Sequence, residues 1–401
     1  MTFKLSDRLK PLKYAIRDLI PYAEEVERRG EKVIRLNIGD PLKFDFDTPK
    51  HIREALCEAV NDRWNFYSSS EGDAELREAI AEKERKYNGV YIDPNHVVVT
   101  AGVSEAINFI SASFIDPGDE ALIPGPAYAP YVNFIQAYNG KVVHYKTLEE
   151  NGWQPDLDDL RSKISDRARF ILIINPNNPT GAIYSERTVK EILDIAAEHD
   201  LIVISDEIYD RINYDEVEFK STAAITKDVP VIGLNGFSKV YLMTGWRLGY
   251  IYVKDPTGKY VDKIIGHLNK LARARLCACT PVMRAGIAAL RGPQDHVKEM
   301  VSKLKERRDY SCKRINEIPG MNVVKPKGAF YLFPKIEIEG KFKSDRDFAL
   351  KLLNEEKVLV VHGSGFGFGG ENHFRSIFLP PIEVLEEAFN RIERFCKKYL
   401  A

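Results

Sequence analysis

The sequence predicts an α/β protein built on a mostly parallel sheet with helices on both faces, together with a smaller α+β domain. Short runs that are apolar on both faces alternate along the chain with amphipathic segments of helical spacing. Such runs are typical of parallel strands that are buried on both sides. A long charged segment at about 294–317 has apolar positions at helical spacing and is predicted to lead out of the sheet domain.

Six apolar runs are predicted strands, because each is short and apolar and most end at turn residues. In chain order they are HVVVTAG (96–102), EALIPG (120–125), the start of FILIINPNNPTG (170–181), the start of LIVISDEIYD (201–210), VPVIGLNGF (229–237) and RLGYIYV (247–253). Between them, 103–115 and 188–200 have the spacing of amphipathic helices. Strands and helices therefore alternate, as they do in a parallel sheet with crossover helices.

We predict three segments along the chain. Residues 1–48 form an N-terminal arm and part of the small domain, because one helix and one extended stretch are too short to fold alone. Residues 49–293 form the large domain. Residues 294–401 form the long connecting helix and the rest of the small domain, with further helices near 344–354 and from about 382.

Composition argues against several classes of protein. The 401 residues include 58 basic and 59 acidic side chains, so no overall field favours nucleic acid or an acidic membrane surface. No stretch of about 18 apolar residues predicts a membrane span, and the charged N-terminus does not resemble a signal peptide. Five cysteines without CxxC spacing and eight scattered histidines predict no metal site. We therefore expect a cytoplasmic protein with reduced cysteines.

Polar residues follow the predicted strands where ligands of parallel sheets bind, beyond the carboxyl ends. Asn178 lies after the third strand in the loop NPNNPTG, although such a loop is also an ordinary turn. Asp206 and Tyr209 follow the fourth strand and are three residues apart. A carboxylate in apolar surroundings requires a cationic or protonated partner, and a protonated heterocyclic nitrogen would serve.

Two cations lie among apolar residues in the stretch GFSKVYLMTGWRLGY (236–250). Most lysines are solvated surface charges, but an amine in an apolar site near other cations has a lowered pKa and becomes nucleophilic. Lys239 is therefore a candidate nucleophile. Arg247 and Ser238 are candidates to bind a phosphate, together with the N-terminus of the helix that begins near Val103.

Arg375 lies inside the apolar run HFRSIFLP (373–380), where a guanidinium is costly unless it is paired. A planar guanidinium suits a bidentate carboxylate. If no acidic residue of the chain pairs with Arg375, that carboxylate would belong to a substrate. The amine, the acid, the amide and the phosphate site together fit one cofactor and one substrate class. We predict pyridoxal 5′-phosphate and an amino acid.

The same motifs belong to a known family. NPNNPTG, SDEIY, FSKVYLMTGWRLGY and FRSIFLPP occur in the order and spacing of the class I and II pyridoxal-phosphate aminotransferases of fold type I, which the sequence resembles over nearly its whole length. The resemblance implies a seven-stranded sheet. It also implies a homodimeric enzyme that moves an amino group between an L-amino acid and a 2-oxo acid by ping-pong kinetics.

The resemblance implies roles for twelve residues. Lys239 binds the cofactor aldehyde and later moves the α-proton, and Asp206 and Tyr209 assist it at the ring. The implied contacts are Asp206 to the ring nitrogen, Asn178 and Tyr209 to the phenolic oxygen, Tyr128 to the ring face, Val103, Ser104, Ser238 and Arg247 to the phosphate, Tyr67 to the phosphate of the neighbouring subunit's cofactor, and Gly39, Asn178 and Arg375 to the substrate.

Within the family, KYAIRD, RLNIGDP, ARLCACTP and HGSGFG resemble alanine aminotransferases, including archaeal ones. One departure is Ala278, which stands where relatives usually have proline after the first cysteine. The expected substrates are L-alanine and 2-oxoglutarate. Arg17 and Arg275 are candidates for the second carboxylate of glutamate or 2-oxoglutarate, and each is equally reasonable as an ion-pair residue.

Other functions stay open at this point. An aspartate or broad-specificity aromatic aminotransferase would share every cofactor residue. A β-lyase would use the same fold to release pyruvate and ammonia. A ligand-sensing regulator would carry a DNA-binding domain before this fold, and the N-terminal segment is too short for one.

Overall fold

The computed structural model describes residues 3–400, which form one large sheet of eight strands and a smaller unit with three short sheets. In chain order the strands are β1 (Ile34–Arg35), β2 (Val97–Thr100), β3 (Glu120–Gly125), β4 (Lys141–Leu148), β5 (Gln154–Pro155), β6 (Ala168–Ile174), β7 (Ile202–Asp206), β8 (Val231–Gly236), β9 (Gly249–Lys254), β10 (Met321–Asn322), β11 (Tyr331–Leu332), β12 (Lys335–Ile336), β13 (Val358–Leu359), β14 (Val361–His362) and β15 (Phe374–Ile377).

The helices are α1 (Ala15–Asp18), α2 (Ile20–Arg28), α3 (Lys50–Asn61), α4 (Ala74–Asn88), α5 (Val103–Phe114), α6 (Ala129–Ala137), α7 (Leu157–Ser162), α8 (Glu186–Glu198), α9 (Thr222–Ile225), α10 (Val261–Arg275), α11 (Thr280–Arg291), α12 (Asp295–Asn316), α13 (Asp345–Glu356) and α14 (Ile382–Tyr399). Within residues 3–400, no helix has the length and apolar character needed to cross a membrane.

The large sheet has the strand order β2-β9-β8-β7-β6-β3-β4-β5. The five strands from β8 to β4 run parallel, whereas β9 is antiparallel to both of its neighbours and β5 is antiparallel to β4. The predicted α/β class with a mostly parallel sheet is confirmed. The sheet has one strand more than the seven implied by the resemblance, because the two-residue β5 extends its edge.

Both faces of the sheet are buried by helices. In β6, Ile171 and Ile173 belong to a core that includes apolar side chains of α4, α8 and α11. The alternate residues Phe170, Leu172 and Ile174 belong to a second core that includes α5 and α10. Since successive side chains of a strand point to opposite faces, two buried faces require a continuous apolar run. This requirement explains the strand sequences.

Strand β4 has no counterpart among the six predicted strands. Its sequence, KVVHYKTL, mixes charged and apolar residues, and most of its side chains are only half-buried. The reason is its position, because only the short β5 lies beyond it at the sheet edge. A strand near an edge lacks the continuous apolar run by which the central strands are recognised.

The small unit is built from both ends of the chain. Strand β1 pairs in parallel with β13, and β15 pairs antiparallel with β11 and β14. The N-terminal segment contains two helices, α1 and α2, where one was expected; Pro21 lies in the first turn of α2, a position that tolerates proline. The domain boundaries at residues 48 and 294 stay a prediction.

The fold brings distant residues to one edge of the sheet. Asn178 follows β6, Asp206 ends β7 and Lys239 follows β8, and the carboxyl ends of these parallel strands meet. Strand β15 of the small unit carries Arg375, whose guanidinium donates a hydrogen bond to Asn178 Oδ1 at 2.9 Å. The site therefore lies between the large sheet and the small unit.

Candidate active site

One cavity at this edge of the sheet is lined by eleven of the twelve residues that the resemblance implies. They are Gly39, Val103, Ser104, Tyr128, Asn178, Asp206, Tyr209, Ser238, Lys239, Arg247 and Arg375. The remaining residue, Tyr67, lies outside this cavity, and it is 80% exposed.

Asp206 is a buried carboxylate at the carboxyl end of β7. The Tyr131 hydroxyl donates to its Oδ2 at 2.7 Å, and the Ile208 N–H donates to its Oδ1 at 3.2 Å. Burial raises the pKa of Asp206 to about 6, and these two hydrogen bonds oppose the rise. Within the described chain no cation forms an ion pair with Asp206, so a protonated ligand nitrogen would complete its environment.

Lys239 lies in the loop after β8. Its Nζ donates a hydrogen bond to the Gly39 carbonyl at 2.7 Å and lies 5.4 Å from the centre of the Phe330 ring. The pKa of Lys239 is lowered to about 8, chiefly by burial; the charges of Arg375 and Arg247 also lower it, whereas the Asp40 carboxylate opposes the change. An amine with this pKa is partly neutral near pH 7 and can act as a nucleophile or base.

Arg247 and the start of helix α5 form an anion site. Arg247 donates to the Thr244 carbonyl at 3.0 Å and lies 3.5 Å from Ser238 Oγ, and none of its partners in the described chain is a carboxylate. Within residues 3–400 no side chain caps α5, and the N–H groups of Val103 and Ser104 have no partner, so they are available to a ligand. Gly102 precedes the helix at φ +77°, where a Cβ would lie 2.4 Å from the Arg247 guanidinium.

Arg375 is 1% exposed and has no ion pair among residues 3–400. Its guanidinium donates to Asn178 Oδ1 at 2.9 Å and to the Asn37 carbonyl at 2.6 Å, and it lies 4.5 Å from the centre of the Tyr331 ring. Its Nε has no hydrogen-bond partner. A buried guanidinium that is only partly satisfied by neutral groups favours an anionic ligand.

Tyrosine hydroxyls line the rest of the cavity. Tyr209 and Tyr331 form a hydroxyl–hydroxyl hydrogen bond of 2.7 Å, and Tyr128 lies 3.4 Å from the Tyr14 hydroxyl. Burial raises the pKa of Tyr128 and Tyr209 well above the usual range, so these hydroxyls stay neutral and can donate.

Three cavity contacts were not predicted from the sequence. The first is the contact of Tyr131 with Asp206. Tyr131 follows Tyr128 by three residues in GPAYAPY, a spacing that puts two side chains on the same side of a helix, and this spacing could have indicated it. The second contact is that of Tyr331, on β11, with the Tyr209 hydroxyl. The third is that of the Thr244 hydroxyl, which donates to the Asp40 carboxylate at 2.9 Å. The partners of Tyr331 and Thr244 are distant in the chain, so no local pattern indicates them.

The two candidates for a second substrate carboxylate differ in their surroundings. Arg275 forms an ion pair with Glu105 at 2.5 Å and donates to the Ser70 and Val99 carbonyls. Arg17 is exposed on α1, next to the cavity residue Ile16, and its side chain has no hydrogen bond or ion pair within the described chain. Arg17 is therefore the freer of the two cations.

Comparison with known proteins decides the family. The family model described as aminotransferase class I and II matches residues 31–392. The chain belongs to the class I and II aminotransferases. Enzymes of this family depend on pyridoxal phosphate and act on amino acids and 2-oxo acids.

Relatives of this aminotransferase are similar over their whole length. Glutamate–pyruvate aminotransferase of Haemophilus influenzae is 38% identical over 99% of both chains, and aromatic-amino-acid aminotransferase 2 of Thermococcus litoralis is 38% identical over 98% of both. Among solved structures, an alanine aminotransferase from Pyrococcus furiosus is 55% identical, with a TM-score of 0.96, and the match covers 98% of this chain and 100% of that one.

The residues of the cavity fit the cofactor of the family. Arg247, Ser238 and the start of α5 are groups of the kind that bind a phosphate. Asp206 is a buried carboxylate that has no cationic partner among residues 3–400, so it could pair with a protonated ring nitrogen. Lys239 is an amine with a lowered pKa, as an aldehyde requires.

The anion site predicts that the apoenzyme binds inorganic phosphate. Arg247→Gln should weaken this binding roughly tenfold or more, because it removes the guanidinium that would pair with the anion. Calorimetric titration of the apoenzyme with phosphate measures the effect. Arg273→Gln, which changes an exposed arginine paired with Glu71, is the matched control. Equal affinities for the two variants would contradict the assignment.

Proposed function

We propose that this aminotransferase transfers the amino group of L-alanine to 2-oxoglutarate, and that it also catalyses the reverse reaction. The observation that carries the proposal is the buried Arg375 guanidinium, which has no carboxylate partner in the described chain and lines the same cavity as the Lys239 amine. The choice of alanine is supported by the named activities of the Pyrococcus furiosus and Haemophilus influenzae relatives.

Pyridoxal phosphate, when bound, supplies an aldehyde that condenses with amines and a ring that withdraws electrons from the substrate Cα. In our proposal Asp206 holds a proton on the ring nitrogen and so maintains that withdrawal. Asn178 and Tyr209 hydrogen-bond the phenolic oxygen, Tyr128 packs against the ring, and Arg247 binds the phosphate with Ser238, Val103 and Ser104. The lowered polarity around Asp206 strengthens its pairing with a cation.

Lys239 is the proposed nucleophile and acid–base residue. Its pKa of about 8 leaves a usable neutral fraction near neutral pH, which the attack on an aldehyde requires. When its amine is free, Lys239 would remove the proton from the substrate Cα and hold it on Nζ. In the second half-reaction it returns a proton to the Cα of the product amino acid, so the two half-reactions share one base.

Arg375 and the Gly39 backbone are proposed to bind the substrate α-carboxylate, with Asn178 alongside. A planar guanidinium binds a carboxylate through two parallel N–H groups and so fixes its orientation as well as its position. This orientation directs the Cα–H bond toward Lys239 and away from solvent. A substrate without the carboxylate would lose both effects.

Arg17 is the better candidate for the second carboxylate of glutamate and 2-oxoglutarate. Arg275 is already paired with Glu105 and bonded to two carbonyls. Arg17 has no such partner within residues 3–400, and it lies next to the cavity residue Ile16. The alanine half-reaction does not use a second carboxylate, so Arg17 would matter for only one substrate pair.

An aromatic aminotransferase is the second candidate function. The Thermococcus litoralis relative with that name is as similar in sequence as the Haemophilus influenzae enzyme, at 38% identity. Because all cofactor-binding residues would be shared, only substrate measurements distinguish these activities.

A panel of amino donors tests the function. With 2-oxoglutarate as acceptor, kcat/KM for L-alanine should exceed that for L-phenylalanine, L-tyrosine and L-aspartate by roughly tenfold or more. Lys239→Ala should lower kcat at least about a thousandfold, because the general base is removed. A higher kcat/KM for an aromatic donor would favour the second candidate, and pyruvate release without an acceptor would indicate a β-lyase.

Substitution of Arg17 tests the second carboxylate site. Arg17→Ala should raise KM for glutamate and 2-oxoglutarate roughly tenfold to a hundredfold and leave KM for alanine within about twofold. Arg28→Ala, at an exposed position on α2, is the matched control. Equal changes in KM for glutamate and alanine would exclude a role for Arg17 at the second carboxylate.

We also propose that the enzyme is a cytoplasmic homodimer in which Tyr67 reaches the cofactor phosphate of the other subunit. Exposed apolar side chains support this proposal. Phe66 and Tyr67 are neighbours in the chain and are 57% and 80% exposed. The Thr280 hydroxyl donates to the Phe66 carbonyl, and Leu276, four residues before Thr280, is 52% exposed. Five free cysteines, of which Cys57 and Cys279 are exposed, fit a reducing compartment.

The dimer proposal predicts a cofactor effect from a surface residue. Tyr67→Phe should raise the Kd for pyridoxal phosphate roughly tenfold and leave the dimer intact, because one hydroxyl bond to a charged group is lost. Fluorescence titration and sedimentation measure the two quantities. Tyr91→Phe, at another exposed tyrosine, is the control. A monomeric protein, or unchanged affinity in Tyr67→Phe, would contradict the proposal.

A further inference from the structure

The segment Gly39–Asp40 connects the Lys239 amine to the loop that precedes Arg247. Lys239 Nζ donates to the Gly39 carbonyl at 2.7 Å, and the neighbouring Asp40 carboxylate accepts a hydrogen bond from Thr244 Oγ1 at 2.9 Å. The same carboxylate oxygen accepts the Leu42 N–H at 3.2 Å. The backbone that accepts the Lys239 bond is thus anchored through Asp40 to Thr244.

The position of Gly39 leaves little freedom to this segment. A Cβ at Gly39 would lie 2.5 Å from the Tyr331 hydroxyl and 2.9 Å from the Phe330 ring. The backbone therefore passes directly against these two side chains, and the carbonyl that accepts from Lys239 is fixed with it. Asp40 is the next residue along the chain, so its carboxylate is carried by the same segment as the carbonyl that Lys239 bonds.

Two cationic and two anionic side chains act on the Lys239 amine, and without Asp40 two cations would be opposed by one anion. Arg375 and Arg247 both disfavour the protonated amine, whereas Asp40 and Asp206 favour it. Of these four charges, Asp40 has the largest effect on the pKa of Lys239. Tyr128, Tyr209 and Tyr331 stay neutral because burial raises the pKa of each.

We propose that Asp40 is a positioning residue for Lys239: held by Thr244, it keeps the amine docked at the Gly39 carbonyl and offsets the two arginines. This inference rests on the proposed role of Lys239 as the reactive amine. Without Asp40 the amine would lose its proton at lower pH and would lose its preference for the docked position. Asp40 thereby sets the pH range in which Lys239 changes from ammonium to free base.

Competitive acetylation of the apoenzyme tests the inference without using activity. Acetic anhydride labels neutral amines, and mass spectrometry quantifies the Lys239 label between pH 6 and 10 relative to an exposed lysine such as Lys50. Asp40→Asn keeps the shape and the hydrogen-bond acceptor but removes the charge. It should lower the midpoint pH of Lys239 labelling by about half a unit to one unit.

Two comparison variants complete the experiment. Asp47→Asn removes an exposed carboxylate of the same segment, paired with Arg53 at 2.9 Å, and should leave the midpoint unchanged. Thr244→Val keeps the Asp40 charge but removes its anchor, and should lower the midpoint by a smaller amount than Asp40→Asn. In the holoenzyme, the pH midpoint of the bound cofactor's visible absorbance should move in the same direction.

An unchanged midpoint in Asp40→Asn, or an equal shift in Asp47→Asn, would overturn the inference. An unchanged midpoint in Thr244→Val would overturn the anchoring part, even if Asp40→Asn did not fold. These failures differ from failure of the proposed function. Full activity of Lys239→Ala would disprove the role of the lysine, whatever the acetylation result.

Discussion

The unpaired charge of Arg375 is the constraint on which this site depends. A buried guanidinium is costly unless its donors are satisfied and its charge is neutralised. Asn178 and the Asn37 carbonyl satisfy part of it, and aromatic rings cover it, but no carboxylate within residues 3–400 pairs with it. The fold therefore holds a positive charge that only an anionic ligand neutralises.

The other charges of the cavity follow the same principle. In the part of the chain that the structure describes, Arg247 has no carboxylate partner and Asp206 has no cationic partner. Burial and opposing neighbours bring the pKa of Lys239 to about 8. Asp206 ends β7, Lys239 and Arg247 lie in the segment between β8 and β9, and Arg375 lies on β15.

Much of this arrangement could be predicted from the sequence. The central strands are recognisable because burial on two faces requires continuous apolar runs, and Asp206 and Lys239 follow such runs directly. The cavity then contains eleven of the residues that the motifs indicate. Strand β4 was missed because a half-buried strand near an edge has no such pattern. The contacts of Tyr131 with Asp206 and of Thr244 with Asp40 join distant positions, and only the folded chain brings them together.

The most direct test of the central claim compares Arg375→Gln with the native enzyme on L-alanine and on L-alaninamide, which lacks the negative charge. We expect kcat/KM for L-alanine to fall roughly a hundredfold or more in the variant, since a charged hydrogen-bonded pair is lost. For L-alaninamide we expect nearly equal kcat/KM values for the two enzymes. A similar loss on both substrates would contradict the claim, because Arg375 would then support the fold rather than bind the carboxylate.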